Sequence, residues 1–318
     1  MPDVGVTRWD DAVLGPIEVP NEKLEDVVLV RSDGRPTYNF ASPMEDVWDA
    51  ITHVIRGEDH ISNTPKQINI IRAVGAEPPV YAHVSHVLGG DGKSLSKRHG
   101  SVTVDEFRHA GYYAPALMNF LALLGWSYDD KTTIMSPAEL IERFTLERVV
   151  PSPATFDYEK LDWLNGMHLR ALSPDEYADE LVKYLRNEGY DWDETLVRRA
   201  APIVQEKIER FGQFPDFAGF FFREIDPQAL ALPTGGAPVV TAAQKELELV
   251  EPFAAAEIES ALRRLAERLE LSPRKAFEPI RIAVTGSKIS PGLFESLELL
   301  GKEETRRRLS AAADRAAA

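Results

Sequence analysis

The sequence predicts an α/β fold in its first third, built on a parallel sheet, followed by an all-helical remainder. Three observations carry this. Short apolar runs at residues 27–30, 51–56 and 81–88 are separated by helical stretches, the strand–helix–strand order of a parallel sheet with crossover helices. From Val104 onward the texture is helical, with start signals such as Ser173-Pro174 followed by Glu176 recurring to the C-terminus. The 318 residues suffice for two or three separate cores.

Taken in order, residues 1–26 are polar and punctuated by Pro16 and Pro20, and read as the tail of a longer segment rather than as core. Val27-Val28-Leu29-Val30 predicts a strand buried on both faces, and Arg31 to Pro36 a turn. A helix is expected around Met44 to Ala50, and a second strand over Ile51 to Arg56. Thr64 as N-cap and Pro65 at the first helical position open a helix that Gly75 closes. A strand over Tyr81 to Leu88 then runs into Gly89–Gly100, GGDGKSLSKRHG, and Thr103 with Glu106 predicts a capping box. Pro115 starts a helix with Leu117, Leu121 and Leu124 on one stripe, and the aromatic run Phe214 to Phe222 reads as a seam between helices. Pro227 to Pro238 reads as a linker between two helical lobes.

With 36 basic and 51 acidic residues the net charge is −15, which argues against a protein that coats nucleic acid non-specifically. The chain has no cysteine, so disulfides and thiolate metal sites are excluded. It has no apolar run of membrane-spanning length and no secretory pattern at Met1, so no membrane partner and a cytoplasmic location are expected.

Ligands of parallel sheets sit beyond the carboxyl ends of the strands, where two charged clusters fall. In the first, Arg56 is followed by Gly57, Glu58, Asp59 and His60. A guanidinium there suits a carboxylate ligand, with Tyr38 offering a hydroxyl to the same cleft; a surface ion pair with Glu58 or Asp59 is the plainer alternative. In the second, Lys93, Lys97, Arg98 and His99 with Ser94 and Ser96 lie on a glycine-hinged turn. That suits a clamp on phosphate oxygens, and taken alone it equally suits a solvated basic turn. His83 and His86 have no metal-ligand spacing, so no metal, zinc in particular, is expected; His53 and His168 read as half-buried core residues. Arg274, Lys275, Arg281, Lys288, Lys302 and Arg306 to Arg308 give local positive charge that suits either phosphate tracking or a solvated helix face.

Five stretches, RSDGRPTYNFA, ITHVIRGEDHISNTPKQ, AHVSHVLGGDGKSLSKRHG, YAPALMNFLALLGWS and FDYEKLDWLN, occur in the order and spacing of bacterial glutamyl-tRNA synthetases, class I aminoacyl-tRNA synthetases. The sequence resembles that family from about Thr7 to its C-terminus. The helical tail favours it over the related glutaminyl enzymes, which end in β-barrels. The resemblance implies a partial Rossmann-type sheet, the C-terminal half of a class I catalytic domain, followed by helical stem-contact and anticodon-binding domains. The expected divisions are residues 1–26, 27–103, 104–170 and 171–318, with a linker near 226–240.

Carried onto this sequence, Leu95-Ser96-Lys97-Arg98 matches the family's second signature loop. Lys97 then stabilises the ATP phosphates, Ser96 and Arg98 support it, and Leu95 borders the nucleotide. Arg56 holds the glutamate side-chain carboxylate, Tyr38 lines that pocket, and Asp59 and His60 border the adenylate cleft. ATP, accompanied by Mg2+, glutamate and tRNA(Glu) are the implied substrates. Two departures accompany the match. Ser94 stands where the family's loop usually opens with lysine. No His-Ile-Gly-His-type segment precedes Val27, so the expectation is a chain lacking the first part of the catalytic domain, with an unpaired strand edge. One half of a split synthetase, its N-terminal half a separate chain, and a non-catalytic tRNA-binding relic are the alternatives.

Overall fold

The computed structural model describes residues 1–100, 103–226 and 230–317, with the backbone alone for residues 97, 316 and 317. The first residues of the expected linker, 227–229, therefore lie outside the described residues. In chain order the strands are β1 (Val6–Asp11), β2 (Gly15–Pro20), β3 (His53–Gly57), β4 (Val80–Val84), β5 (Val87–Leu88) and β6 (Ala154–Thr155). The helices up to residue 171 are α1 (Tyr38–Trp48), α2 (Thr64–Ala73), α3 (Val104–His109), α4 (Ala114–Ala122), α5 (Pro137–Arg143) and α6 (Tyr158–Ala171). Then follow α7 (Pro174–Asn187), α8 (Glu194–Gln205), α9 (Phe214–Ala218) and α10 (Gly236–Leu247). The last are α11 (Ala255–Arg268), α12 (Pro273–Thr285), α13 (Leu293–Leu300) and α14 (Lys302–Ala317). The chain forms two units, residues 1–102 with 115–161 and residues 103–114 with 162–318.

In the first unit β3 and β4 pair in parallel, with Arg56 opposite His83, and α2 makes the crossover between them. Ile68 and Ile71 of α2 and Tyr81 and Ala82 of β4 are fully buried, each large side chain contributing about 1.5–3 kcal/mol. The expected strand Tyr81–Leu88 is two: it breaks at Ser85 and His86, and β5 pairs in parallel with β6 instead.

Two expectations fail here. Residues 1–26 are no loose tail, because β1 and β2 form an antiparallel hairpin and Ala12 N–H donates to Tyr81 O at 2.8 Å. Asp11 at the end of β1 is 4% exposed. Residues 27–30 are no buried strand, since Val28, Leu29 and Val30 are 65%, 37% and 50% exposed. The reason is local. Thr37 folds back on the segment, its N–H on Leu29 O and its hydroxyl on Val28 O, and closes the expected turn at Arg31–Pro36. Beyond β4, no other strand among the described residues pairs with β3, and Ile51 and Ile55 are 43% and 53% exposed. On α4 the buried residues are Ala116, Leu117, Asn119 and Phe120, while Leu121 of the expected stripe is exposed.

The second unit carries the predicted caps. Thr103 and Glu106 form the capping box of α3, and Ser173 and Glu176 that of α7. Two cores follow one another along the chain. Tyr177, Leu181, Val204, Phe211 and Phe214 belong to the first, which absorbs the aromatic run, and Val240, Ile258, Leu262, Ile280 and Leu309 to the second. Arg308 ties them together: 7% exposed, it donates to Val284 O at 2.7 Å and Phe220 O at 2.9 Å, while Glu304 Oε1 balances its charge at 2.5 Å. Gly111 and Gly212 meet backbone to backbone. A Cβ on Gly111 (φ +85°) would lie 2.1 Å from Gly212 N, and one on Gly212 would lie 2.4 Å from Ala110 O.

Gly111→Ala is therefore expected to destabilise the protein by at least about 3 kcal/mol, since backbone must move as well as strain. Gly34→Ala, at φ +83° with nothing within 4 Å, is expected to cost about 1–2 kcal/mol. Denaturant midpoints of the two variants check the order. Hydrogen bonds from Arg307, and then those and the charge of Arg308, lower the Glu304 carboxyl from 4.5 to about 2. Its stabilisation is complete above pH 4.5 and is lost as pH falls toward 2. Glu304→Gln is expected to cost about 1–2 kcal/mol at pH 7 and to flatten the acid side of the stability profile, measured by denaturation between pH 7 and pH 2.

Candidate active site

The β3–β4 register builds the first cluster. Residues paired across a parallel ladder point to the same face about 4.8 Å apart, so Arg56 and His83 are neighbours by construction. Arg56 is held entirely by neutral acceptors. Nη1 donates to Gln67 Oε1 at 2.8 Å and Tyr38 Oη at 3.4 Å, Nη2 to Thr64 Oγ1 at 2.8 Å, and Nε to His83 Nε2 at 3.3 Å. The guanidinium carbon lies 5.3 Å from the centre of the Tyr81 ring, a cation–π contact. Among the described residues Arg56 makes no ion pair, so the expected surface alternative with Glu58 or Asp59 is absent. Glu58 Oε1 instead accepts from His86 N–H at 3.3 Å. Asp46 feels the Arg56 charge at longer range; burial raises its carboxyl pKa and the guanidinium opposes that rise.

Behind Arg56 lies a second layer that the sequence did not disclose. His83 Nδ1 is 2.5 Å from Asp11 Oδ2, and both side chains are fully buried. Asp11 Oδ1 also accepts the N–H groups of His83 at 3.0 Å and of Val13 and Leu14 at 3.1 Å. Burial opposes ionisation of Asp11, but these hydrogen bonds outweigh it and hold its carboxyl below the usual value. Thr64, expected as an N-cap, makes no cap hydrogen bond; Asn63 precedes the helix. The Thr64 hydroxyl accepts from Arg56 Nη2, lies 3.0 Å from His83 Nε2 and is within 3.3 Å of His60 O as a donor. Burial raises the Tyr81 phenol to about 12, and its oxygen, like Gln67 Nε2, is buried without a hydrogen-bond partner. Tyr38 is 50% exposed, and its ring centre is 5.5 Å from that of His60. Asp59 Oδ2 is 3.7 Å from His60 Nε2. Tyr38, Arg56 and His60 are thus brought together, with Asp59 at the edge.

The second cluster is a small hairpin after β5. Gly89 N–H donates to Lys93 O at 2.7 Å and Leu95 N–H to Val87 O at 3.0 Å. Asp91 sits at its tip. Its carboxylate takes Arg98 Nη2 at 3.1 Å, His99 Nε2 at 3.1 Å and the Lys93 N–H at 3.0 Å. The Lys93 amide, then the charges of Arg98 and His99, keep the Asp91 carboxyl below its usual value. Ser96 N–H donates to His99 Nδ1 at 3.0 Å, and the His99 ring packs so closely on Gly89 that a Cβ there would lie 2.7 Å from it. Of Gly89, Gly90 and Gly92 in this turn, only Gly92 takes a positive φ, at +74°. Ser96 and Leu95 are half-buried and Arg98 is exposed. Lys97 opens a short 3-10 turn, Lys97–His99, and its side chain lies outside the described residues.

Elsewhere, His53 is exposed rather than half-buried, and burial lowers the pKa of His168. Most of the C-terminal basic residues are committed to structure. Arg281 is bound to Ser290 and Pro291, Lys302 to Val250 O, and Arg306, Arg307 and Arg308 to Glu303, Glu304 and Glu224. Arg274, Lys275 and Lys288 remain exposed, with Glu278 3.9 Å from Arg274 and 3.6 Å from Lys288.

Residues 1–163 match the family model for tRNA synthetases class I (E and Q), catalytic domain, and residues 176–313 that for an anticodon binding domain. The glutamate–tRNA ligase of Thermodesulfovibrio yellowstonii is 41% identical over 320 residues, covering 97% of this chain and 68% of that protein. Glutamate–tRNA ligase 2 of Caldicellulosiruptor saccharolyticus is 38% identical over 316 residues, covering 97% of this chain and 66% of that protein. A crystal structure of a glutamate tRNA ligase from Elizabethkingia meningosepticum, in complex with its amino acid, superposes with a TM-score of 0.82 at 29% identity, over 99% of this chain and 67% of that one. The chain spans about two thirds of the length of the curated relatives it matches. With half its residues in the synthetase catalytic model and its sequence and fold both shared with these ligases, the chain belongs to the glutamate–tRNA ligase family of class I tRNA synthetases.

Proposed function

We propose that this chain serves the ATP-dependent activation of glutamate and its transfer to the 3′ end of tRNA(Glu). The observation that carries this reading is the Arg56 guanidinium, held in place by Gln67, Thr64, Tyr38 and His83 without an ion pair. Four of its five N–H donors are engaged, and the 3.4 Å contact to Tyr38 is the easiest to exchange. An incoming carboxylate supplies the missing negative charge through charge-assisted hydrogen bonds. Tyr38 lines the same pocket, and His60 and Asp59 border the adenylate.

In the proposed reaction the α-carboxylate of glutamate attacks the α-phosphate of ATP in line, pyrophosphate leaves, and the ribose of the tRNA terminus then takes the acyl group. No enzyme nucleophile is needed; positioning and charge stabilisation supply the rate. Lys97, supported by Ser96 and Arg98 in the signature loop, is assigned to the ATP phosphates, with Leu95 bordering the nucleotide. Mg2+ is expected to travel with ATP. Among the described residues no group of three or more His, Asp or Glu is placed to hold a metal ion, so no step is assigned to it. No helix among the described residues is long and apolar enough to cross a membrane, and a cytoplasmic setting goes with this reading. Exposed Arg274, Lys275 and Lys288, within the segment that matches the anticodon binding model, are assigned to tRNA phosphates.

Calorimetric titration with glutamate tests the assignment of Arg56. Arg56→Ala is expected to weaken glutamate binding about 100-fold or more while leaving ATP affinity within about twofold. Undiminished glutamate affinity in that variant would sink the reading. Lys97→Ala is expected to slow glutamate-dependent ATP–pyrophosphate exchange about 100- to 1000-fold with little change in glutamate affinity.

A further inference from the structure

We infer that Asp11 and His83 are positioning residues for the carboxylate clamp. Asp11 fixes His83 as the neutral imidazole protonated on Nδ1, leaving Nε2 as the acceptor that orients Arg56. The inference rests on the reading of Arg56 as the group that binds the glutamate side chain.

The geometry leaves little freedom. Asp11 Oδ2 lies 2.5 Å from His83 Nδ1, and Asp11 Oδ1 is taken up by three backbone N–H groups, so the carboxylate is an acceptor there and Nδ1 must be the donor. On the other side of the ring Nε2 faces Arg56 Nε at 3.3 Å and the Thr64 hydroxyl at 3.0 Å. The guanidinium Nε can only donate, so a proton on Nε2 would set two N–H groups against each other. Thr64 completes the ring of contacts: its hydroxyl accepts from Arg56 Nη2, and its one proton has two acceptors in reach, Nε2 at 3.0 Å and His60 O at 3.3 Å. The β1–β2 hairpin, far from Arg56 in sequence, thereby sets the rotamer and hydrogen-bond phase of the guanidinium. Both side chains are fully buried and so act on a ligand only through Arg56.

Two substitutions separate this role from a merely structural one. The Asn carboxamide takes the place of Nδ1 and keeps the tie to Asp11; the Gln carboxamide reaches the place of Nε2 and keeps an acceptor for Arg56. His83→Asn is expected to weaken glutamate binding about tenfold, and His83→Gln to retain it within about threefold, with ATP affinity unchanged in both. Asp11→Asn, whose amide drives the imidazole toward the other tautomer, is expected to fall with His83→Asn. The reverse order, Asn preserved and Gln impaired in step with thermal stability, would overturn the inference and leave Arg56 as the clamp. Wild-type affinity in all three variants alongside a weakened Arg56→Ala would do the same. Loss of the effect in Arg56→Ala itself would instead remove the clamp reading. A ligand-free readout decides the tautomer independently. Long-range 1H–15N correlation of the histidine rings is expected to show His83 protonated at Nδ1 only at neutral pH. An Nε2-protonated ring or an imidazolium would refute the inference whatever the binding data.

Discussion

The site depends on a cation compensated by hydrogen-bond acceptors rather than by an anion. Arg56 gives its protons to an amide oxygen, two hydroxyls and an imidazole nitrogen, and its face to the Tyr81 ring. These contacts fix direction without neutralising charge. The nearest buried carboxylate, Asp11, stands behind His83, and its charge is already spread over three backbone N–H groups and one ring N–H. The guanidinium is therefore oriented while its charge stays available, which is the property the proposed carboxylate ligand would use.

The signature loop solves the opposite problem. Its positive side chains would repel one another in isolation, and the Asp91 carboxylate holds Arg98 through one oxygen while the other lies 3.1 Å from His99 Nε2. That pairing is exposed, and exposed ion pairs contribute little in water. The proposed phosphate ligand, with more charge and more acceptors than one carboxylate, would compete with Asp91 for Arg98. Gly89 is required for contact rather than for φ: the His99 ring occupies the space where any side chain would be. The loop is thus held by its own contacts, Asp91 and His99 at their centre.

Much of this was legible in the sequence. Caps are local, so Thr103 with Glu106 and Ser173 with Glu176 declared themselves through spacing alone. The parallel order of β3 and β4, and Arg56 at the carboxyl end of its strand, followed from strand–helix–strand alternation. What was illegible is non-local. Val27–Val30 has the composition of a buried strand but is captured by Thr37 across a tight turn, a pairing that no periodicity encodes. Asp11 sits in a polar, proline-punctuated stretch, and only the fold brings it against His83, 72 residues on. Thr64 has the letters of an N-cap yet spends its hydroxyl on Arg56 and His83, and such a departure from a local rule is expected where a site competes for the side chain.

The break in the expected strand at Ser85 and His86 links the two clusters. Ser85 Oγ donates to Pro151 O at 2.6 Å and His86 N–H to Glu58 Oε1 at 3.3 Å, so the chain leaves its ladder with β3 and joins β6 without stranding buried polar groups. One continuous strand could serve either the Arg56 register or the loop, whereas the broken one serves both. His83 faces Arg56 from β4, and Gly89, six residues later, roots the signature loop. Six extended residues span at most about 22 Å, so the backbone beside Arg56 and the root of the signature loop cannot lie farther apart than that. The bound comes from chain connectivity alone. It keeps both groups close enough for the single extended ligand that the proposed reaction requires.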